Sequence, residues 1–455
     1  MKFSSAFYRR KSLMVSLGGI LLATSFAFGS VKTQALTPFS EPLPEDNFMI
    51  FLDNVTAVTN IYQLQAQGLT KGRSAFEPWA SSYWPTHQGM LANRFSDPSF
   101  PKSKVFMTNY EYFQSRPPEA MIAAGEINHL SPAEKYDLLV GDHNWSLTRS
   151  MWQKGLADVA TDGGVATWTG ICHGWSGATH MGTKQPQNAI SVTDVTGSYS
   201  ILFYPDDIAA LLSFLWADSS PESIRAGNRC KQPVVLKDPH NRPLDPACLD
   251  SNPMSWHLAI TNRVGLYGKS FVMDSSSGPE VWNYPISSYD YSYFSPRTFE
   301  SSHSLAASIV PISYVLNDKY SQSRSPRAKY LVGIAMDVFH PALISPRTGS
   351  PNGNTIHSES YAYDLELDEA YNVVGGEWYS HDRPDFMWSF HEGAQATNRE
   401  DDAIVEVWDG KTPLPASYSE NAIRASERGR VLSKIAGALQ LKSLETPVTN
   451  QISEN

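Results

Sequence analysis

The sequence predicts an α+β fold, and three observations lead to this class. Helical patterns prevail between residues 131 and 218, whereas short β-rich runs separated by turn residues prevail after residue 250. The two kinds of segment do not alternate, and this segregation is typical of α+β domains rather than of parallel α/β sheets. The 455-residue chain is 41% hydrophobic and 12% aromatic, so it has ample apolar side chains for a core.

The first segment of the chain is predicted to be a signal peptide. A basic stretch at residues 9–11 precedes an apolar run over residues 13–28, and Thr-Gln-Ala at residues 33–35 offers a small-x-small cleavage site. The apolar run is short for a membrane span and has the flanks of a secretory leader. We therefore expect residues 1–35 to be removed, the protein to be secreted or periplasmic, and no integral membrane segment to remain.

Three regions are predicted downstream of the leader. Residues 36–130 form an aromatic-rich, irregular N-terminal region, and residues 131–400 contain the motifs that carry the chemistry. Residues 401–455 form a polar tail with an amphipathic helix near residues 420–445, which we expect to lie at the periphery.

The charge balance excludes one class of partner. The full chain has 36 basic and 46 acidic residues, and five of the basic residues but no acidic one lie within residues 1–35. The chain without this segment thus has 31 basic and 46 acidic residues, a net charge of −15. Because such a surface repels phosphate backbones, we expect no nucleic-acid partner.

Helices and strands are predicted in order along the central region. The first helix has Ser131 as its N-cap, Pro132 in its first turn and Glu134 at the third position, which is a capping-box pattern. A second helix begins at Ser146, and a third, YPDDIAALLSFLWAD, has acidic residues in its first turn. Five predicted strands follow: SWHLAITNRV, KSFVMDSS, KYLVGIAMDVF, YAYDLELD and NVVGGEWY.

Cysteine usage predicts one disulfide and one free thiol. The chain contains three cysteines, Cys172, Cys230 and Cys248, and an odd count in an exported protein is typical of one bonded pair and one free residue. A Pro-, Asp- and Asn-rich loop joins Cys230 to Cys248, and a bridge there would contribute on the order of 3 kcal/mol. Two unpaired thiols are the alternative. With the pair formed, Cys172 is left as a candidate nucleophile.

Cys172 lies in the stretch TWTGICHGWSGATH, and its base must come from elsewhere in the chain. If SWHLAIT is a strand, His257 shares a face with small residues that leave room for a cleft. A hairpin with its turn between Gly265 and Leu266 would place His257 opposite Asp274, with Cβ atoms roughly 5 Å apart. The carboxylate would then orient the imidazole. A structural role for His257 and a turn-forming role for Asp274 are the alternatives.

Two other chemistries were weighed for this stretch. Residues 174–178, Gly-Trp-Ser-Gly-Ala, approach the G-x-S-x-G elbow of serine hydrolases, but the last glycine is absent and no clear strand precedes them. A zinc site is disfavoured because the sequence contains neither H-E-x-x-H nor paired C-x-x-C motifs.

Several stretches resemble the transglutaminase elicitor family, which is known from oomycete plant pathogens with relatives in marine bacteria. They are PWASSYWP, LSPAEKYDLLVGD, WTGICHGWSGA, NPMSWHLAITNRVG, FVMDSSSGPEVWNYPI, LELDEAYNVVGGEW and PDFMW, in this order between residues 78 and 388. The resemblance implies a papain/transglutaminase-like fold, in which a helix that carries the nucleophile packs on an antiparallel sheet. It also implies an acyltransferase that joins protein glutamine to lysine or another primary amine.

By position, the resemblance implies that Cys172 is the nucleophile, His257 the base and Asp274 its orienting acid. Trp168 or Trp175 would donate an indole N–H to the oxyanion or line the acceptor channel, with packing as the alternative role. Relatives suggest Ca²⁺ as a cofactor, although the chain has no D-x-D-x-D-G loop. The implied partners are protein substrates that bear glutamine and lysine.

One stretch departs from the family. The segment VWNYPI at residues 281–286 resembles the plant-defence epitope, but Tyr284 replaces a glutamine and residues 287–289 diverge. The departure puts elicitor activity in doubt and leaves the enzyme prediction intact. A papain-like cysteine peptidase with the same three residues and a non-catalytic binding module are the alternative functions.

Overall fold

Antiparallel strands form the framework on which the helices pack. The computed structural model describes residues 40–52, 55–160, 164–232, 234–238, 242–351 and 353–445, so the predicted signal peptide lies outside the described residues. The strands are β1 Lys71–Arg73, β2 Ile190–Thr193, β3 Ser200–Phe203, β4 Ser223–Ala226, β5 Val272–Asp274, β6 Asn283–Pro285, β7 Ser288–Phe294, β8 Ser301–Ser302, β9 Val310–Pro311, β10 Tyr330–Pro341, β11 Ile356–Leu367, β12 Val373–Trp378 and β13 Met387–Phe390.

These strands form three antiparallel sheets. The largest has the order β1-β7-β10-β11-β12, with β8 paired to β7 and β9 paired to β10. A four-stranded sheet has the order β4-β13-β5-β6, and β2 pairs with β3. The helices are α1 Ile61–Ala66, α2 Phe106–Ser115, α3 Pro118–Ala123, α4 Pro132–Val140, α5 Ser146–Ala157, α6 Cys172–His180, α7 Pro205–Ser219, α8 Pro253–Ala259, α9 Leu305–Ser308, α10 Ala416–Ser426 and α11 Ser433–Leu444. Together they confirm the α+β prediction.

The predicted helices of the central region are present with their expected caps. Ser131 accepts from the backbone N–H of Glu134, and the Glu134 carboxylate accepts from the N–H of Ser131, so α4 begins with a capping box. Helix α5 begins at Ser146 as predicted. Helix α7 begins at Pro205, with acidic residues in its first turn.

Two apolar cores lie on opposite sides of the four-stranded sheet. One core joins helices α4 to α7 with α10 and α11, and the other joins the largest sheet with α8. Along β5, Val272 belongs to the first core and Met273 to the second, because successive strand residues point to opposite faces. Asp274 therefore shares the face of Val272, which is the side of α6.

The predicted strand around His257 is wrong. Residues 253–259 form helix α8 and continue into a π-helical turn, Ile260–Leu266. Asn252 caps α8 by accepting from the N–H of Met254, and Pro253 supplies a φ suited to its first turn. No hairpin therefore joins this segment to β5, whose partners are β6 and β13.

The C-terminal segment is part of the first core rather than a peripheral tail. Two helices replace the single predicted one, and α11 packs against α7. The first core includes Tyr418, Leu432, Ile435 and Leu439 from this segment, all buried. The aromatic N-terminal region also contributes Trp79, among others, to the same core, so the predicted boundaries at residues 130 and 400 do not separate independent cores. In the described part of the chain, no helix has the length and apolarity to cross a membrane.

Candidate active site

Cys172 is the first residue of α6, as the sequence predicts. The N-terminus of a helix favours negative charge, because its first N–H groups lack intrahelical partners. The glycines after Cys172 allow close packing: a Cβ at Gly174 would lie 2.1 Å from the carbonyl oxygen of Ser213 on α7. Helix α6 therefore packs closely on α7, and the first residue of α6 lies at the four-stranded sheet.

The thiol of Cys172 faces strand β6. The side-chain amide of Asn283 donates to Sγ at 3.3 Å, and Sγ lies 3.7 Å from the carbonyl oxygen of Val281. The indole N–H of Trp388, on β13, donates to Oδ1 of Asn283 at 2.7 Å and so fixes the amide orientation. Hydrogen bonds thus link Cys172, Asn283 and Trp388, which lie far apart in sequence.

Asp274 lies beside Asn283, because the two residues are directly paired between β5 and β6. Its Oδ1 accepts from the backbone N–H groups of Trp282 at 2.8 Å and Ser276 at 3.2 Å. Its Oδ2 is buried and has no hydrogen-bond donor among the described residues. Burial raises the pKa of Asp274 to about 6, against the lowering effect of these N–H groups and of two nearby arginines. A carboxyl group with this pKa is suited to proton transfer near neutral pH.

The resting thiol is held in its neutral form. Burial raises the pKa of Cys172, and the negative charge of Asp274 raises it further. The Asn283 amide and the N–H of His173 lower it in part, because they donate toward the sulfur. Attack on a carbonyl carbon therefore requires a group that takes the thiol proton.

His257 has no hydrogen bond to Cys172 or Asp274 among the described residues, and the hairpin predicted to pair it with Asp274 is wrong. Its side chain is 0% exposed, Nδ1 lies 2.9 Å from the hydroxyl oxygen of Tyr363, and its ring packs on Tyr291. Burial lowers the pKa of His257 to about 3. The structure brings Cys172 and Asp274 to one site and places the predicted base in the second core.

The two predicted indole donors differ in their surroundings. The N–H of Trp175 donates to the carbonyl oxygen of Trp79 at 2.9 Å within the first core, which agrees with the alternative packing role. Trp168 is half-buried, and the guanidinium of Arg229 lies 5.7 Å from its ring. Arg229 also attracts Asp274, so this arginine links Trp168 to the site.

A pair of aromatic rings lies near the thiol. The rings of Tyr83 and Trp282 meet edge to face at 5.5 Å. The carbonyl oxygen of Tyr83 accepts from the N–H of Ile171, which precedes Cys172, and Trp282 lies in sequence between Val281 and Asn283, the two residues that contact Sγ. Burial raises the pKa of Tyr83, and the charge of Cys172 raises it further. Cys172 itself is 4% exposed.

Sequence reasoning missed Asn283 and Trp388 as members of the site. Both lie in family-like stretches, VWNYPI and PDFMW, which were the available signal. Cys230 and Cys248 are joined by a disulfide, and among the described residues Cys172 is the free cysteine. No group of three or more His, Cys, Asp or Glu side chains in the described ranges is arranged to hold a metal ion. The suggestion of Ca²⁺ thus remains a sequence prediction.

Comparisons with known proteins agree with this fold. The crystal structure of the GP42 transglutaminase from Phytophthora sojae matches with a TM-score of 0.51 and 18% sequence identity, over 84% of this chain and 98% of that one. This likeness confirms the predicted transglutaminase-like fold. No curated protein matches the chain. The model of the family described as transglutaminase elicitor matches residues 51–400, well over half of the chain. The protein belongs to the transglutaminase elicitor family.

Proposed function

We propose that the protein is an exported protein-glutamine γ-glutamyltransferase with Cys172 as its nucleophile. The observation that carries this proposal is the placement of the thiol at the N-terminus of α6, where it faces the Asn283 amide and the Asp274 carboxyl group on one sheet. This set provides a nucleophile, a donor that stabilises its thiolate, and a group that moves protons. Asp274 takes the base role that the sequence assigned to His257.

The reaction balances with these groups. The Cys172 thiol gives its proton to the Asp274 carboxylate, directly or through one water, and the thiolate attacks the γ-carboxamide carbon of a protein glutamine. The C–N bond then breaks, and the nitrogen leaves as ammonia with the proton from Asp274. A lysine amine attacks the thioester, its proton passes through Asp274 to the departing thiolate, and an isopeptide bond remains.

The enclosure of the thiol supports amine transfer over hydrolysis. Cys172 is 4% exposed, and the rings of Tyr83 and Trp282, which meet edge to face, offer apolar walls near it. Walls of this kind exclude water and allow the aliphatic stem of a lysine to lie along them. A papain-like peptidase would use the same nucleophile and deliver water instead, whereas a binding module would need no reactive thiol.

One experiment separates these functions. The chain without residues 1–35 is incubated with a glutamine-containing protein and labelled cadaverine, and incorporated amine and new protein N-termini are measured in the same reaction. We expect amine incorporation to exceed peptide-bond cleavage, and Cys172→Ser to remove it. New N-termini without incorporated amine would establish the peptidase, and neither product at any pH would favour the binding module.

A further inference from the structure

Asp385 is a second buried carboxyl group next to Asp274 to which no role has been assigned. Its N–H donates to the carbonyl oxygen of Asp274 at 3.0 Å, while the N–H of Asp274 donates to the carbonyl oxygen of Phe386 at 2.9 Å. The backbones of two consecutive residues, Asp385 and Phe386, therefore form hydrogen bonds with the backbone of one residue, Asp274. This is the pattern of a β-bulge. Bulges often occur next to active sites, where they redirect a side chain. Here the bulge places Asp385 beside Asp274, where a regular ladder would place Phe386 alone.

The carboxyl groups of Asp274 and Asp385 have similar surroundings. Asp385 is 2% exposed, and its Oδ2, like that of Asp274, is buried without a donor among the described residues. The charged groups that act on both carboxyl groups are Arg225 and Arg229. Asp250, which forms an ion pair with Arg383, adds a like charge near Asp385.

These surroundings give the two carboxyl groups different pKa values. Burial raises the pKa of Asp385 to about 8, and the charges of Asp250 and Asp274 add to this effect against the attraction of the arginines. Asp274 has a pKa of about 6. Neighbouring carboxyl groups with separated pKa values commonly have different roles in a reaction.

We propose that Asp385 is a positioning residue, held beside Asp274 by the bulge as a neutral buried carboxyl group, and that it thereby leaves Asp274 as the single charged carboxylate beside Cys172. The part that Asp385 plays in the reaction rests on the proposed transferase function. The protonation of Asp385 is independent of that function. While Asp385 is neutral, Asp274 accepts the thiol proton and returns it to the leaving ammonia. When Asp385 ionises, a second negative charge beside Asp274 opposes formation of the thiolate and makes the proton on Asp274 harder to release.

The proton on Asp385 can be measured without any enzyme assay. Infrared difference spectra between about pH 7 and pH 9 record the C=O stretch of a protonated carboxyl group as it is lost. We expect the wild-type chain to lose such a band near pH 8 and Asp385→Asn to lack this component. Asp194→Asn, which replaces an equally buried aspartate in the β2–β3 turn, is the matched control and should keep it. A component that persists unchanged in Asp385→Asn would overturn the proposal.

The role of Asp385 is tested by the pH dependence of ammonia release from a glutamine peptide. We expect a rate that rises as Asp274 ionises near pH 6 and falls as Asp385 ionises near pH 8, about tenfold per pH unit on the falling side. Asp385→Asn, whose side chain is neutral at every pH, should lose the fall near pH 8. An active variant that keeps this fall would overturn the role. If the wild type releases no ammonia at any pH, the transferase function fails, and the infrared result alone decides the protonation of Asp385.

Discussion

The side-chain amide of Asn283 lies 3.3 Å from the sulfur of Cys172 and donates to it. The donor is held in place from its other end, because Oδ1 of Asn283 accepts from the indole of Trp388. A hydrogen bond to the sulfur favours the thiolate, and this bond opposes the burial that favours the thiol. The hydrogen bond from Asn283 therefore influences how readily the thiolate of Cys172 forms.

Removal of this donor should make the thiol less reactive. In Asn283→Ala the pKa of Cys172 should rise, so the thiolate fraction at pH 8 and the rate of alkylation by iodoacetamide should fall about tenfold for each unit of increase. Trp388→Phe, which removes only the outer hydrogen bond, should give a smaller decrease. An unchanged or faster alkylation of Asn283→Ala would contradict the assigned role.

The identity of the nucleophile is tested by a pair of substitutions in α6. Cys172→Ser should reduce amine incorporation by about 10³-fold or more, because the weaker serine nucleophile has no strong base beside it. Ser176→Ala should retain activity, since the Ser176 hydroxyl is buried and donates to the carbonyl oxygen of His173, at a cost of about 1 kcal/mol of stability. Full activity in Cys172→Ser would return the serine mechanism to consideration.

His257 should matter for stability rather than catalysis. Its pKa is about 3 in the folded chain and near 6.5 when unfolded, so its stabilising effect is complete above pH 6.5 and is lost as the pH falls toward 3. We expect His257→Gln to retain amine incorporation within a few-fold and to weaken the loss of thermal stability between pH 7 and 4. His381→Gln is the control, because the side chain of His381 is 96% exposed. Loss of activity in a stably folded His257→Gln would restore its predicted role as the base.

The structure predicts which cysteines are bonded and which one is free. Peptide mapping under non-reducing conditions should recover Cys230 joined to Cys248 and Cys172 as a free thiol. Replacement of both bonded cysteines by serine should lower the free energy of unfolding by about 3 kcal/mol, as expected for a loop of this length. Recovery of Cys172 in a disulfide from an active preparation would contradict both assignments.

The position of Cys172 at a helix start could be predicted because local signals agree around it, but the residues that contact its thiol could not. Every residue from Ser255 to Ile260 is buried, so the alternation in SWHLAIT carries no information about faces and the strand reading had no support from burial. The sequence does contain a local signal of a helix start, Asn252 followed by Pro253. This signal predicts the observed helix α8 better than the alternating pattern of SWHLAIT predicts a strand.

The contacts that complete the site depend on chain topology. Asn283 and Trp388 are 105 residues apart, and no periodicity in one sequence indicates that β6 and β13 both flank β5. The C-terminal segment was misjudged for a related reason. Its composition is polar, but the apolar residues Leu432, Ile435 and Leu439 recur at helical spacing and are buried against the first core.

The burial of Cys172 has a chemical consequence under the proposed export of the protein. A free thiol in an oxidising compartment is exposed to disulfide exchange and to oxidation toward sulfenic acid, and its susceptibility increases with solvent access. Because Cys172 is 4% exposed, its thiol is shielded from both reactions in this conformation.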